Sequence, residues 1–114
     1  MLRRLLAVGP LAAFAIACAS PTLPLPPPMA PTVAPGTDAD HVHLASPCGG
    51  VEGDAIVIVV NNSPAVPGDE AVSGALASDC GAWDANVFAH SGDVLRISQV
   101  VGTDGSQVIT FQVP

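Results

Sequence analysis

Proline fills seven of the sixteen positions from Pro21 to Gly36, with Pro26-Pro27-Pro28 near the middle. Each proline fixes φ near about −65° and removes a backbone donor, so this stretch cannot sustain a helix or feed a sheet ladder. It divides the 114 residues into a start, 1–17, a linker, 18–36, and a third segment, 37–114, the only one long enough for a domain. Taken alone, the proline stretch is an extended tether at ~3.1 Å per residue, about 50 Å in all. It also fits an SH3-like groove, but such readers are mainly intracellular partners.

Residues 1–17 have the layout of an export signal. Met1-Leu2-Arg3-Arg4 gives a positive start, and Leu5 to Ile16 is an apolar run broken by Gly9 and Pro10. The run is shorter than the roughly 20 apolar residues a spanning helix needs. A basic start, an apolar middle and small residues at the end define a secretory signal. The competing reading, a buried N-terminal helix, is opposed by Pro10.

The end of this segment, Ala15-Ile16-Ala17-Cys18, resembles the lipobox of bacterial lipoproteins. The resemblance implies that the signal is cut before Cys18, that its thiol carries a diacylglyceryl group, and that the new N-terminus is acylated, with palmitate for example. Ile16 and Ala17 match the pattern, whereas Ala15 stands where Leu is commoner. Ala19 is not the Asp that often retains such proteins at the inner membrane. The resemblance therefore implies a lipid-anchored envelope protein, with the outer membrane favoured. The alternative is a secreted chain cut at Ala17 or Ser20.

The cysteines fit the same division. There are three, Cys18, Cys48 and Cys80, and an odd thiol in an exported chain needs an explanation. Lipidation of Cys18 leaves one pair, and an oxidising compartment favours a Cys48–Cys80 disulfide. The alternative is two buried free thiols. Two cysteines without a CxxC spacing make a poor structural zinc site.

The segment 37–114 holds all ten acids and one base, Arg96, a net charge of −9. Without a basic patch it cannot release counterions from nucleic acid. No Lys and no P-loop are present, which excludes that class of ATPase. Its hydrophobic pattern has period two. Ala55-Ile56-Val57-Ile58-Val59-Val60 is a β-branched run bounded by Gly53 and by Asn61-Asn62-Ser63-Pro64. Trp83, Ala85, Val87 and Ala89 alternate with Asp84, Asn86, Phe88 and His90. The same alternation recurs around Leu95 and Ile97 and around Ile109, Phe111 and Val113. Trp83, Leu95, Ile97, Ile109 and Phe111 are the expected core. Turn residues fall at Pro64 to Gly68, Ser91-Gly92-Asp93 and Gly102 to Gly105. Ala71 to Ser78 has the spacing of a helical turn, but its Ser and Gly content argues against one. The expected fold is an all-β, antiparallel sandwich.

The order Gly50 to Val59, then Cys80-Gly81-Ala82-Trp83-Asp84-Ala85-Asn86-Val87, then Gly92-Asp93-Val94-Leu95-Arg96-Ile97 and a strand closing at Val113-Pro114 resembles bacterial immunoglobulin-like domains of surface proteins. The resemblance covers about residues 49–114. It implies a small immunoglobulin-like β-sandwich that serves as spacer, stalk or binding module, without catalysis. The Cys48/Cys80 pair and the lack of tandem copies depart from that family.

Four constellations carry candidate chemistry. Asp38, Asp40, His41 and His43 cluster, and His41-Val42-His43 puts both imidazoles on one face of a strand, a spacing that zinc and copper sites use. Asp40 or His90 supplies a further ligand in that reading, and a solvated domain edge is the plainer account. Asp69, Glu70, Asp93 and Asp104 sit on turns where carboxylates can gather calcium, or can simply serve turn chemistry. His90, Ser91 and Asp93 have the residue types of a hydrolase triad, but neighbours on a strand and turn rarely converge, and no Gly-x-Ser-x-Gly elbow exists. Two functions follow as expectations. One is a non-enzymatic, cofactor-free, membrane-anchored module that meets an envelope or surface partner. The other is a periplasmic metal-binding lipoprotein using His41, His43 and Asp40.

Overall fold

A computed structural model describes residues 24–114. Cys18 and the signal-like start lie outside the described residues. The described chain is a sandwich of two antiparallel sheets, with no α-helix among these residues. The strands are β1 (Thr32–Pro35), β2 (His41–Ser46), β3 (Ile56–Asn61), β4 (Val72–Leu76), β5 (Trp83–Phe88), β6 (Val94–Val101), β7 (Asp104–Gly105) and β8 (Ile109–Gln112), with one 3-10 turn at Gly68–Glu70. The smaller sheet runs β1-β2-β5, and the larger runs β4-β3-β6, with β7 and β8 both against β6. The chain thus crosses between sheets, the second strand pairing the fifth and the third pairing the sixth.

Period two sets the core. In β6, Leu95, Ile97 and Gln99 point between the sheets, while Val94 and Arg96 point out. β3 contributes Val57 and Val59, β2 contributes Leu44, and β5 contributes Trp83 and Val87. Ala55, Ala77, Ala89 and Val113 close the ends of the layer. Each large aliphatic side chain buried in this way contributes about 1.5–3 kcal/mol. Trp83, Leu95 and Ile97 are core as expected. Ile109 and Phe111 are only half-buried against it, because β8 lies at a sheet edge.

Two features differ from the sequence expectation. Ala71 to Ser78 contains strand β4, paired to β3 from Ile56↔Leu76 to Val60↔Val72. A β-branched neighbour offering a ladder outweighs the weak strand preference of Ser and Gly. The second is the proline stretch. Its last part is β1, which pairs β2 from Thr32↔Ala45 to Pro35↔Val42, so the domain begins before residue 37. Upstream of β1 the chain is extended but docked. Pro28 and Pro31 are buried, Met29 N–H donates to the Gly50 carbonyl at 2.9 Å, and Leu25 bridges Ser106. Proline lacks a donor, but its carbonyl still accepts, and an edge position tolerates it. The buried Gln99 supplies the donor, its Nε2 reaching the Pro26 carbonyl at 2.7 Å.

The two ends of the sandwich are held by different chemistry. At one end lie the proline segment, the β2–β3 and β4–β5 connections and the β6–β8 loop. There the Cys48–Cys80 disulfide joins two of the connections. Gly81 sits beside it with φ of +83°, and a Cβ at that position would run into the Val51 carbonyl. Only glycine fits both constraints. At the other end lie the β1–β2, β3–β4 and β5–β6 connections and the C-terminus.

Candidate functional site

That second end carries the chemistry. β2 and β5 pair His41↔Phe88 and His43↔Asn86, so both histidines of His41-Val42-His43 project from the outer face of the smaller sheet, as period two requires. His41 lies edge-on to Phe88 with ring centroids 5.5 Å apart, and His90 lies edge-on to the same ring at 5.1 Å. The two imidazoles flank one phenyl ring.

Each histidine has a carboxylate. His41 Nδ1 lies 2.7 Å from Asp38 Oδ1, and its Nε2 lies 2.8 Å from Glu70 Oε1. His90 Nε2 lies 2.9 Å from Asp40 Oδ1, and His43 Nε2 lies 3.0 Å from Asp84 Oδ2. With an acceptor at both nitrogens, the His41 ring is best satisfied as the doubly protonated imidazolium. The Asp38 carboxylate first, and Glu70 second, raise its pKa above the ordinary 6.5. Reciprocally, the His41 hydrogen bond, aided by the Asp40 amide, lowers Asp38 below 3.8.

A buried network lies beneath. Asn61, 3% exposed, donates through Nδ2 to the Phe88 carbonyl at 2.9 Å and to Asp93 Oδ2 at 3.0 Å, and its Oδ1 accepts from Ser63 N–H. The same Asp93 oxygen accepts from His90 N–H at 3.0 Å. The Asn61 amide above all, then the His90 amide, lowers the pKa of Asp93 below 3.8. Asn61 thus links β3 to the turn where Gly92 adopts φ of +90°.

This geometry separates the expected sets. His41, His43 and Asp40 enter four separate imidazole–carboxylate pairs, two of them at His41, and share no focus. Among the described residues, no group of three or more His, Cys, Asp or Glu side chains is gathered to hold a metal ion. Of the calcium-type acids, Glu70 serves His41 and Asp93 serves Asn61, while Asp104 lies at the opposite end. In the triad-like set the His90 ring binds Asp40, and Asp93 is engaged by Asn61, so Ser91 has no prepared base. Sequence reasoning places Glu70 in the calcium-type set and not beside His41, and it assigns no site role to Phe88 or Asn61. Phe88 follows from the alternation that also gives His90, and Asn61 has the inward parity of Val57 and Val59.

Two open depressions lie on the surface of the described residues. One, about 500 Å³, is lined in part by Ser46 and Trp83; the other, about 370 Å³, lies between β1 and the C-terminus beside His90. Ser46 Oγ and Trp83 Nε1 are buried without a hydrogen-bond partner, but both atoms are sealed from solvent and offer a ligand nothing. No family model, no curated protein and no solved structure matches this chain.

Proposed function

We propose that the chain is an envelope-anchored lipoprotein whose sandwich is a non-catalytic structural or interaction module, at the surface, in adhesion, or as an accessory subunit of an envelope assembly. The observation that carries this reading is Ala15-Ile16-Ala17-Cys18 behind the Arg3-Arg4 start and its apolar run. A diacylglyceryl thioether with an N-acyl chain is a multiple-chain anchor, each buried methylene contributing about 0.8 kcal/mol. The side chains support the second half of the reading. The imidazoles are occupied by carboxylates of the same domain, and the remaining polar network stitches strands together.

The docked proline segment gives the anchor a short reach. Six peptide steps separate Cys18 from Pro24, the first described residue, which at ~3.5 Å each is about 20 Å. In this reading the disulfide end of the sandwich sits close to the bilayer. The imidazole end points away, towards a protein partner. Ala19 in place of Asp favours the outer membrane.

The test is the intact mass of the mature chain extracted in detergent. The expected result is an N-terminus at Cys18 carrying a diacylglyceryl and an acyl mass, both lost in Cys18→Ser. A mature chain without acyl mass overturns the anchor. Affinity purification from solubilised membranes then identifies the partner.

A further inference from the structure

We propose that β4 is a self-pairing edge, through which two copies of this chain join antiparallel about a two-fold axis at Gly74. Among the described residues, β4 has a hydrogen-bonded neighbour in the larger sheet on one side only, β3. Parity decides which of its backbone groups face the open side. Ala77 N–H donates to the Ala55 carbonyl and Asn61 N–H to the Ala71 carbonyl, each at 2.8 Å. Between them the register is Val57↔Ala75 and Val59↔Ser73. Ser73 and Ala75 therefore turn their amides and carbonyls towards β3, and Val72, Gly74 and Leu76 turn theirs outward.

A bare row of this kind is usually guarded by Lys, Pro or a bulge. β4 reads Val-Ser-Gly-Ala-Leu and has no such guard, whereas the edge strand β1 ends in Pro35. The outward residues are also apolar and open: Val72 is 61% exposed, Leu76 74%, and the adjoining Ile56 51%. Together they leave roughly 300 Å² of apolar surface in water, the lower end of the largest patch an ordinary monomer exposes, which is often functional.

The self-complementary pattern of the strand selects a second copy as the occupant, and its lack of charge permits one. Ten acids and one base give residues 37–114 a charge of −9, yet β3 and β4 carry no charged side chain. Two copies meeting along β4 bring no acid of one strand against an acid of the other. Pairing about Gly74 sets Val72 opposite the second copy's Leu76, and it satisfies every outward amide and carbonyl of the three residues in one ladder. Beyond the ladder, Asp69-Glu70 of one copy approaches Ser78-Asp79 of the other. The association is therefore weak and strengthens as salt screens those ends.

Gly74→Cys is the probe. A Cβ at Gly74 meets only the Val57 carbonyl, at 3.9 Å, so the variant folds without displacing a neighbour. Hydrogen-bonded antiparallel partners have Cα atoms ~5.5 Å apart, within reach of a disulfide. Mild oxidation of the full Gly74→Cys chain is expected to give a linked dimer at least about tenfold faster than Thr110→Cys, whose thiol lies on the far edge strand β8. Unsubstituted chain, oxidised in parallel, reports any link through Cys18, so the result does not depend on the anchor. Adding Leu76→Lys to Gly74→Cys is expected to remove most of that advantage. Sedimentation of the unsubstituted chain is expected to shift towards dimer between about 20 and about 500 mM salt. Gly74→Cys linking no faster than Thr110→Cys, sedimentation that stays monomeric at every salt, or capture of a different protein at Gly74 each overturns the proposal.

Discussion

Replacing Gln99 with Met tests whether the proline segment belongs to the domain. Gln99 is 1% exposed and serves two segments at once. Its Oε1 accepts from Glu52 N–H at 2.8 Å, and its Nε2 donates to the Pro26 carbonyl at 2.7 Å. Methionine keeps length and volume but makes neither bond. Each lost bond costs about 1 kcal/mol, and a partner left buried and unpaired costs more. Glu52 and Pro26 are themselves exposed, so water re-satisfies them in part and the lower figure applies. The total is roughly 2 kcal/mol, which in a domain of this size lowers the melting temperature by about 8–16 °C. The cost also has a location. The Met29 amide, bonded to the Gly50 carbonyl, should lose hydrogen-exchange protection before the β3 and β6 amides do. Calorimetry and residue-resolved exchange on the same sample measure both quantities. If the melting point falls by less than about 3 °C and Met29 protection is unchanged, Gln99 does not hold the segment, and residues 24–31 are the free tether that their composition suggests.

Removing the disulfide through Cys48→Ala with Cys80→Ala opens a loop of sequence separation 32 and should cost roughly 3–4 kcal/mol in denaturant titration. Asn61→Ala breaks three buried side-chain bonds and should cost about 2–4 kcal/mol in the same titration, with Asp93 returning towards an ordinary carboxylate pKa by NMR. His41→Gln tests the imidazolium. The folded-state pKa of His41 lies above 6.5, so its stabilisation is complete below that value and lost as pH rises through the folded pKa. The melting-point gap between the unsubstituted chain and His41→Gln should therefore shrink between about pH 6 and about pH 9, and a gap that grows refutes the assignment. Gly81→Ala, at φ of +83° and against the Val51 carbonyl, should destabilise by at least about 2 kcal/mol or prevent soluble expression.

What was legible in the sequence follows from parity, and what was not follows from distance along the chain. Leu95 and Ile97 announce the core of β6, and two residues on the same parity points Gln99 inward, although it is polar. Asn61 stands in the same relation to Val57 and Val59. A polar residue on a core parity is a sign of a buried bond, but its partner is not written nearby. The Pro26 carbonyl is 73 residues from Gln99, so the docking of the proline segment had no local signal. The placement of His41 and His43 on one face was legible for the same reason as the core. Their partners were not: Glu70 lies 29 residues from His41, and Asp84 lies 41 from His43. β4 was missed because edge strands need few strand-forming residues when a neighbour such as β3 supplies the ladder.

The two ends of the sandwich therefore respond to different conditions. The disulfide, Gly81 and Gln99 secure the end nearer the N-terminus, and none of the three titrates in the physiological range. Asp38, His41 and Glu70 with Asn61 and Asp93 secure the other end, and no thiol takes part. Reduction should loosen the proline segment and the β2–β3 connection while the His41–Asp38 pair persists. Alkaline pH should release the β1–β2 connection from Glu70 while Met29 remains protected. Because a common core of Leu44, Leu95 and Ile97 joins both ends, each perturbation is seen first as local exchange and only later in the global transition.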